Sequence, residues 1–176
     1  SGASSGAYIP AAGTISQTDN YRLIIDPFVT LYRGNSRHKL LGRFYDIENP
    51  TEFKAVPGLR VVGAGKNITV NTFADRSSLD SIAIPLNPGE SISEFLFISD
   101  SADDEDGFEA GNIDGLNFNY EVQEEFKGRA CGFIANYDDL TSATINDTEN
   151  WIQNVEITKA LVKTEDTLSA HVKIFH

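Results

Sequence analysis

The chain has 176 residues, 40% of them hydrophobic, which suits one sizeable core better than two. Its formal net charge of −12 argues against nucleic acid as a partner, because such binding requires a basic surface. No stretch approaches the about 18 apolar residues of a transmembrane helix, so no membrane insertion is expected.

The first predicted element is a leader over residues 1–20, whose opening part, Ser1–Gly13, has small residues and no charge. This composition is typical of a flexible tail, but an extended segment can also add as a strand to the sheet of a neighbouring molecule. Packing within the chain and strand exchange both remain open. The candidate donor-strand residues are Ala7, Tyr8, Ile9 and Ala11. The start at Ser1 and the absence of Met favour a chain secreted after signal-peptide removal, with a start introduced by cloning as the alternative.

Residues 21–176 are predicted to form one all-β domain, because apolar and polar residues alternate and no helical stripe of useful length occurs. The clearest strands are Leu116–Val122 and Leu168–Ile174. Further strands are predicted over residues 21–33, 39–47, 59–73, 82–85, 92–99, 126–136 and 152–162, with a short helical turn near Trp151. Turn residues at Val56-Pro57-Gly58 and Asn87-Pro88-Gly89 separate them. We therefore expect a two-sheet antiparallel sandwich or jelly roll.

The most unusual feature is the acidic stretch between Arg76 and Lys127, which holds 13 of the 26 acidic residues and no Lys or Arg. Seven carboxylates crowd into one predicted loop: Asp100, Asp103, Asp104, Glu105, Asp106, Glu109 and Asp114. Closely spaced carboxylates with glycines are typical of calcium sites, and no His or Cys nearby suggests zinc or copper. The spacing is not that of an EF-hand. A solvated acidic loop is the alternative to a calcium site.

Motifs of the common enzyme classes are missing: there is no G-x-S-x-G, H-E-x-x-H, C-x-x-C or phosphate-binding loop. The three histidines, His38, His171 and His176, are expected on the surface. We therefore predict no enzymatic activity and no small-molecule substrate. Aromatic residues leave a carbohydrate-binding surface open as an alternative. Two sequons predict glycosylation at Asn67 and Asn146.

Two stretches resemble secreted fibre proteins. The turn Leu86–Glu90 and the strand after it are similar to those of TasA and camelysin, and Leu41–Pro50, closing at Val56-Pro57-Gly58, is similar to archaeal cannula subunits. The resemblance implies an extracellular jelly-roll subunit that polymerises with copies of itself by donor-strand complementation, with calcium at subunit contacts. Alternatives are a single-jelly-roll capsid protein and a calcium-stabilised carbohydrate-binding module.

Overall fold

The structure is a computed structural model that describes residues 39–130, 132–145, 148–163 and 169–176. Ten strands and no helix occur in these residues. The strands are β1 (Lys39–Tyr45), β2 (Val56–Gly63), β3 (Ile68–Thr69), β4 (Ser77–Leu79), β5 (Ser81–Pro85), β6 (Ile92–Ser99), β7 (Asn112–Gly128), β8 (Gly132–Ile145), β9 (Asn154–Ile157) and β10 (Val172–Phe175). The described residues contain no helix long and apolar enough to cross a membrane.

The strands form two sheets. The smaller has the order β5-β1-β10-β9, and the larger has the order β3-β2-β6-β7-β8, with β4 also paired to β2. Every pairing is antiparallel except that of β1 with β10, which is parallel. The predicted all-β architecture with two mostly antiparallel sheets is confirmed.

The core is built from the inward side chains of both sheets. Its fully buried residues include Phe44 and Ile174 from the smaller sheet and Leu59, Phe97 and Phe118 from the larger one. Each such side chain contributes about 1.5–3 kcal/mol of burial free energy. The alternation that predicted these strands arises because successive side chains point to opposite faces.

The most prominent element is the hairpin of β7 and β8, strands of 17 and 14 residues. The sequence predicted a single strand over residues 126–136, and this is wrong because the hairpin turn lies inside it. Gly128 and Gly132 have φ of 127° and 65°, values that favour glycine. The apolar residues on both sides of the turn continue the hydrophobic alternation, so the pattern does not show where the chain reverses.

Other predicted boundaries also shift. The strand predicted over residues 59–73 is divided into β2 and β3 by a turn in which Asn67 has a φ of 54°. That predicted over residues 152–162 is limited to β9 at Asn154–Ile157, and the described residues near Trp151 form a turn and a bend but no helix. The whole leader, including Ala7, Tyr8, Ile9 and Ala11, lies outside the described residues.

Candidate functional site

The acidic loop, residues 100–111, connects β6 to β7 at one end of the larger sheet. Its first residues continue the sheet, because the backbone N–H groups of Asp100 and Ser101 donate to the carbonyl oxygens of Pro57 and Gly58 at 2.7 and 2.9 Å. The backbone bonds fix the start of the loop against β2.

The turn of the loop is organised by Asp104. Its Oδ1 accepts hydrogen bonds from the backbone N–H groups of Asp106 at 2.8 Å and Phe108 at 2.9 Å. Such a carboxylate replaces a backbone partner in a tight turn. The backbone N–H of Gly107, which has a φ of 85°, donates to the Asp104 carbonyl at 3.1 Å. Glu105 and Asp106 are left exposed at the apex.

Glu109 is the buried carboxylate of the loop, with 1% of its side chain exposed. It accepts hydrogen bonds from Ser101 Oγ at 2.8 Å and from the backbone N–H groups of Ala102 and Gly111 at 3.1 and 3.0 Å. Gly111 permits this close return, because a Cβ there would lie 2.6 Å from the Ser99 carbonyl oxygen. A buried carboxylate needs such donors to offset its loss of hydration.

Two arginines supply positive charge to the loop from other parts of the chain. Nη2 of Arg76 lies 2.7 Å from Asp103 Oδ1 and 3.8 Å from Glu109 Oε1. Arg60, with 1% of its side chain exposed, makes two hydrogen bonds to Asp75, and its Nη1 lies 4.0 Å from Glu109 Oε1. At Asp103 and Glu109, arginine supplies the positive charge that the sequence led us to expect from calcium.

Asp114 is separated from the other six predicted ligands. It lies within β7, is buried, and its Oδ2 accepts a hydrogen bond from the backbone N–H of Ile152 at 2.8 Å. The described residues contain no group of three or more His, Cys, Asp or Glu that could hold a metal ion. Calcium binding remains a prediction from the sequence.

A second group of carboxylates lies where β7 and β8 are out of regular register. Asp139 has a φ of 51° at this bulge, and its carboxyl group shares a hydrogen bond with Glu121. The hydrogen bond and the charge of Asp139 raise the pKa of Glu121 above its usual value. The Asp138-Asp139 doublet is visible in the sequence, but only the bulge brings Glu121 beside it.

One of the two described histidines differs from the surface position that the sequence predicted, whereas His176 is partly exposed. His171 is fully buried, and its Nδ1 accepts a hydrogen bond from the backbone N–H of Leu41 at 2.8 Å, so this prediction is wrong. His176 packs edge-on against Phe44 and Trp151, and burial lowers its pKa. His171 directly precedes β10, and its burial depends on the pairing of β10 with β1. The alternation of residues along one strand does not reveal that pairing. The prediction that the chain is not an enzyme stays a prediction.

The aromatic residues considered for a carbohydrate surface are used in packing where they are described. Tyr137 is buried and donates to the Leu86 carbonyl at 3.1 Å, and Trp151 Nε1 donates to the Phe97 carbonyl at 3.1 Å. Tyr45 packs edge-on against Phe53, with ring centroids 5.2 Å apart. These three residues therefore form no exposed aromatic platform for a carbohydrate.

The outer edge of β8 is the feature of the larger sheet best suited to binding another strand. Within the described residues, three backbone hydrogen bonds join this edge to Ala160 and Val162, and all of them involve Tyr137 or Leu140. Backbone groups alternate in direction along a strand, so Ser142 and Thr144 direct theirs to the same outer side as Leu140. No described residue pairs with them there.

Of the two predicted glycosylation sites, one lies within the described residues. Asn67 is exposed in the turn between β2 and β3, and Asn146 lies outside the described residues.

Comparison with known proteins yields one family. Residues 58–176, which include the acidic loop and the β7–β8 hairpin, match the model of a family described as a family of unknown function (DUF6452). No curated protein and no solved structure matches the chain.

Proposed function

Because the chain belongs to the family of unknown function DUF6452, which brings no assigned activity, we propose a function from the geometry of its described residues. The protein is a structural subunit that assembles with copies of itself by adding a strand of one copy to the sheet edge of the next. The observation that supports this is the outer edge of β8 at Ser142 and Thr144, where no described residue pairs with the strand.

An edge of this kind favours association. Unpaired backbone N–H and C=O groups in a row form a template for another strand, and natural proteins usually cover or shorten such edges. The residues of β8 from Thr141 to Ile145 are largely exposed. Main-chain hydrogen bonds along the edge would supply affinity, and side-chain contacts would set the register.

The proposed occupant is the leader of a neighbouring copy, with Ala7, Tyr8, Ile9 and Ala11 as the inserted residues. A leader that binds a different surface on the next molecule makes a heterologous contact, and such contacts generate open filaments or tubes unless the rotation closes a ring. An extracellular location and stabilisation by calcium belong to the same proposal and are supported by the sequence alone.

Proline at position 144 tests the edge in the full chain. Thr144→Pro removes an outward N–H while leaving the bonds to β7, so the folded monomer should persist and assembly should be lost. Thr144→Ala is the matched control, since it removes the same side chain and keeps the N–H. Sedimentation velocity measures the assembled fraction, and circular dichroism checks the fold. Assembly of the proline variant to the wild-type extent would contradict the edge proposal.

A second substitution tests the donor. Ile9→Asp introduces a charge into the proposed inserted strand and should abolish assembly, whereas Ser4→Asp, outside the inserted residues, should not. Electron microscopy of the wild-type product separates filaments or tubes from the closed shells that a capsid protein would form.

A further inference from the structure

The tip of the β7–β8 hairpin, residues 126–133, exposes an aromatic pair. Phe126 and Phe133 are cross-strand partners whose ring centroids lie 5.2 Å apart, and their exposed fractions are 58% and 62%. Large apolar side chains that remain exposed together in this way often mark an interaction site. The pair lies apart from the edge at Ser142 and Thr144.

The position of the pair follows from strand alternation. Phe126 lies six residues after Tyr120 on β7, and Phe133 lies four residues before Tyr137 on β8, so both phenylalanines are on the face that packs into the core further along the hairpin. Tyr120 and Tyr137 are buried there, with ring centroids 5.0 Å apart. The hairpin extends past the sandwich, and its core-facing side emerges into solvent at the tip.

The tip is also the basic end of the larger sheet. Between Arg76 and Lys159 the only Lys or Arg residues are Lys127 and Arg129, and both lie in the tip, beyond the acidic pair Glu124 and Glu125. Arg129 is exposed. A chain with a net charge of −12 thus places positive charge beside its exposed aromatic pair.

The complementary surface is at the other end of β7. The 17 residues of β7 separate the tip from the acidic loop by about 50 Å at about 3.3 Å per residue. At the apex of the loop, Asp104, Glu105 and Asp106 are exposed and form no ion pair within the described residues. Phe108 beside them is 38% exposed.

We propose that the hairpin tip of one copy binds the acidic loop of the next. Arg129 meets the apical carboxylates, and Phe126 and Phe133 cover Phe108. Because the two surfaces differ and lie at opposite ends of one strand, the contact is head to tail and aligns copies in a row. This inference rests on the proposed self-assembly and identifies a second contact within it, distinct from strand addition at β8.

A charge-exchange experiment tests the contact in the full chain. Arg129→Glu and Glu105→Lys each place like charges across the interface, so each variant alone should associate about tenfold more weakly than wild type. An equimolar mixture should recover association, because each tip then faces a loop of opposite charge. Lys66→Glu, in the exposed turn between β2 and β3, is a control for the change in net charge. The weight-average mass from sedimentation equilibrium is the readout.

The outcomes separate this contact from strand addition. Loss of association in both charge variants with recovery in the mixture supports the tip-to-loop contact, whatever Thr144→Pro does. If Thr144→Pro abolishes association but neither charge variant nor the double variant Phe126→Ser/Phe133→Ser weakens it, the tip-to-loop contact is overturned and strand addition remains. A wild-type chain that stays monomeric, or whose tip binds phosphatidylcholine vesicles or another protein instead, also overturns it.

Discussion

At the scale of single residues, buried polar groups fasten turns to the core. The Tyr120 hydroxyl donates to the Asn87 carbonyl at 2.8 Å, accepts from the Asn87 N–H at 3.1 Å and lies 2.6 Å from Ser93 Oγ. Burial raises the pKa of Tyr120 to about 12, so the phenol stays protonated across the physiological range. One side chain from β7 thereby holds the Asn87-Pro88-Gly89 turn.

Removing this hydroxyl should destabilise the fold. We expect Tyr120→Phe to lower the free energy of unfolding by about 1–2 kcal/mol, because the buried groups of Asn87 and Ser93 lose a partner. Urea denaturation measures the change. Tyr45→Phe is the control, since its hydroxyl makes no hydrogen bond within the described residues. Equal losses in the two variants would show that the hydrogen bonds of Tyr120 contribute nothing specific.

The carboxyl pair of Glu121 and Asp139 predicts a dependence on pH. A raised folded pKa means that the folded state binds the proton more tightly, so the pair favours folding below the usual value of 4.5 and loses this contribution as pH rises through the raised pKa. Glu121→Gln should therefore raise the melting temperature at neutral pH, and the gain should disappear in acid. Glu124→Gln, on the same strand, controls for net charge. A gain that persists unchanged in acid would refute the assignment.

At the scale of elements, the acidic loop depends on partners that are distant in sequence. Glu109 lies near Arg60 of β2 and Arg76 of the segment before β4, and Arg76 also contacts Ser101 and Asp103. These contacts join three parts of the larger sheet. The loop is thus an ordered part of the fold and not only a source of solubility.

Truncation of Glu109 should expose this dependence. We expect Glu109→Ala to lower the free energy of unfolding by about 3 kcal/mol, because Ser101, Ala102 and Gly111 lose their hydrogen-bond acceptor and the buried Arg60 keeps only Asp75 as a carboxylate neighbour. Hydrogen exchange of residues 100–111 should increase, and urea denaturation gives the energy. Glu105→Ala removes an exposed carboxylate of the same loop and should be nearly neutral. If both variants behave alike, the loop is held by its backbone bonds alone.

At the scale of the whole molecule, charge is distributed along the long hairpin. Residues 77–126 hold all 13 acidic residues of the acidic stretch, and Lys127 and Arg129 follow immediately at the tip. Net negative charge opposes association between copies, whereas local complementarity between tip and loop favours one orientation. Added salt should therefore weaken the tip-to-loop contact more than strand addition, because the hydrogen bonds of strand addition are less screened by salt.

Calcium is the remaining whole-molecule prediction. If the exposed carboxylates Asp104, Glu105 and Asp106 bind it, millimolar calcium should raise the melting temperature by mass action on the folded state. Thermal melts with calcium and with a chelator measure the effect. Asp104→Asn/Asp106→Asn should abolish it, and Asp46→Asn, on another loop, should not. Identical wild-type melts in calcium and chelator would exclude a site of useful affinity.

The sequence by itself determined the fold class and the positions of β1, β5 and β6, because a half-buried strand leaves a period of two in its own residues. β6 was predicted at Ile92–Ser99 and is found there. The same period concealed the turn between β7 and β8, since Phe126 and Phe133 continue the apolar alternation beyond the region that the second sheet covers.

Only the tertiary structure decided which acidic residues meet an arginine and which of the described side chains are exposed. Arg60 and Arg76 reach Glu109 through pairing of β2 with its neighbours, and Glu121 meets Asp139 through a bulge, so neither contact leaves a local pattern. The sequence specifies charge and periodicity residue by residue. Proximity between residues distant in the chain depends on register and strand order, which form only when the whole core packs.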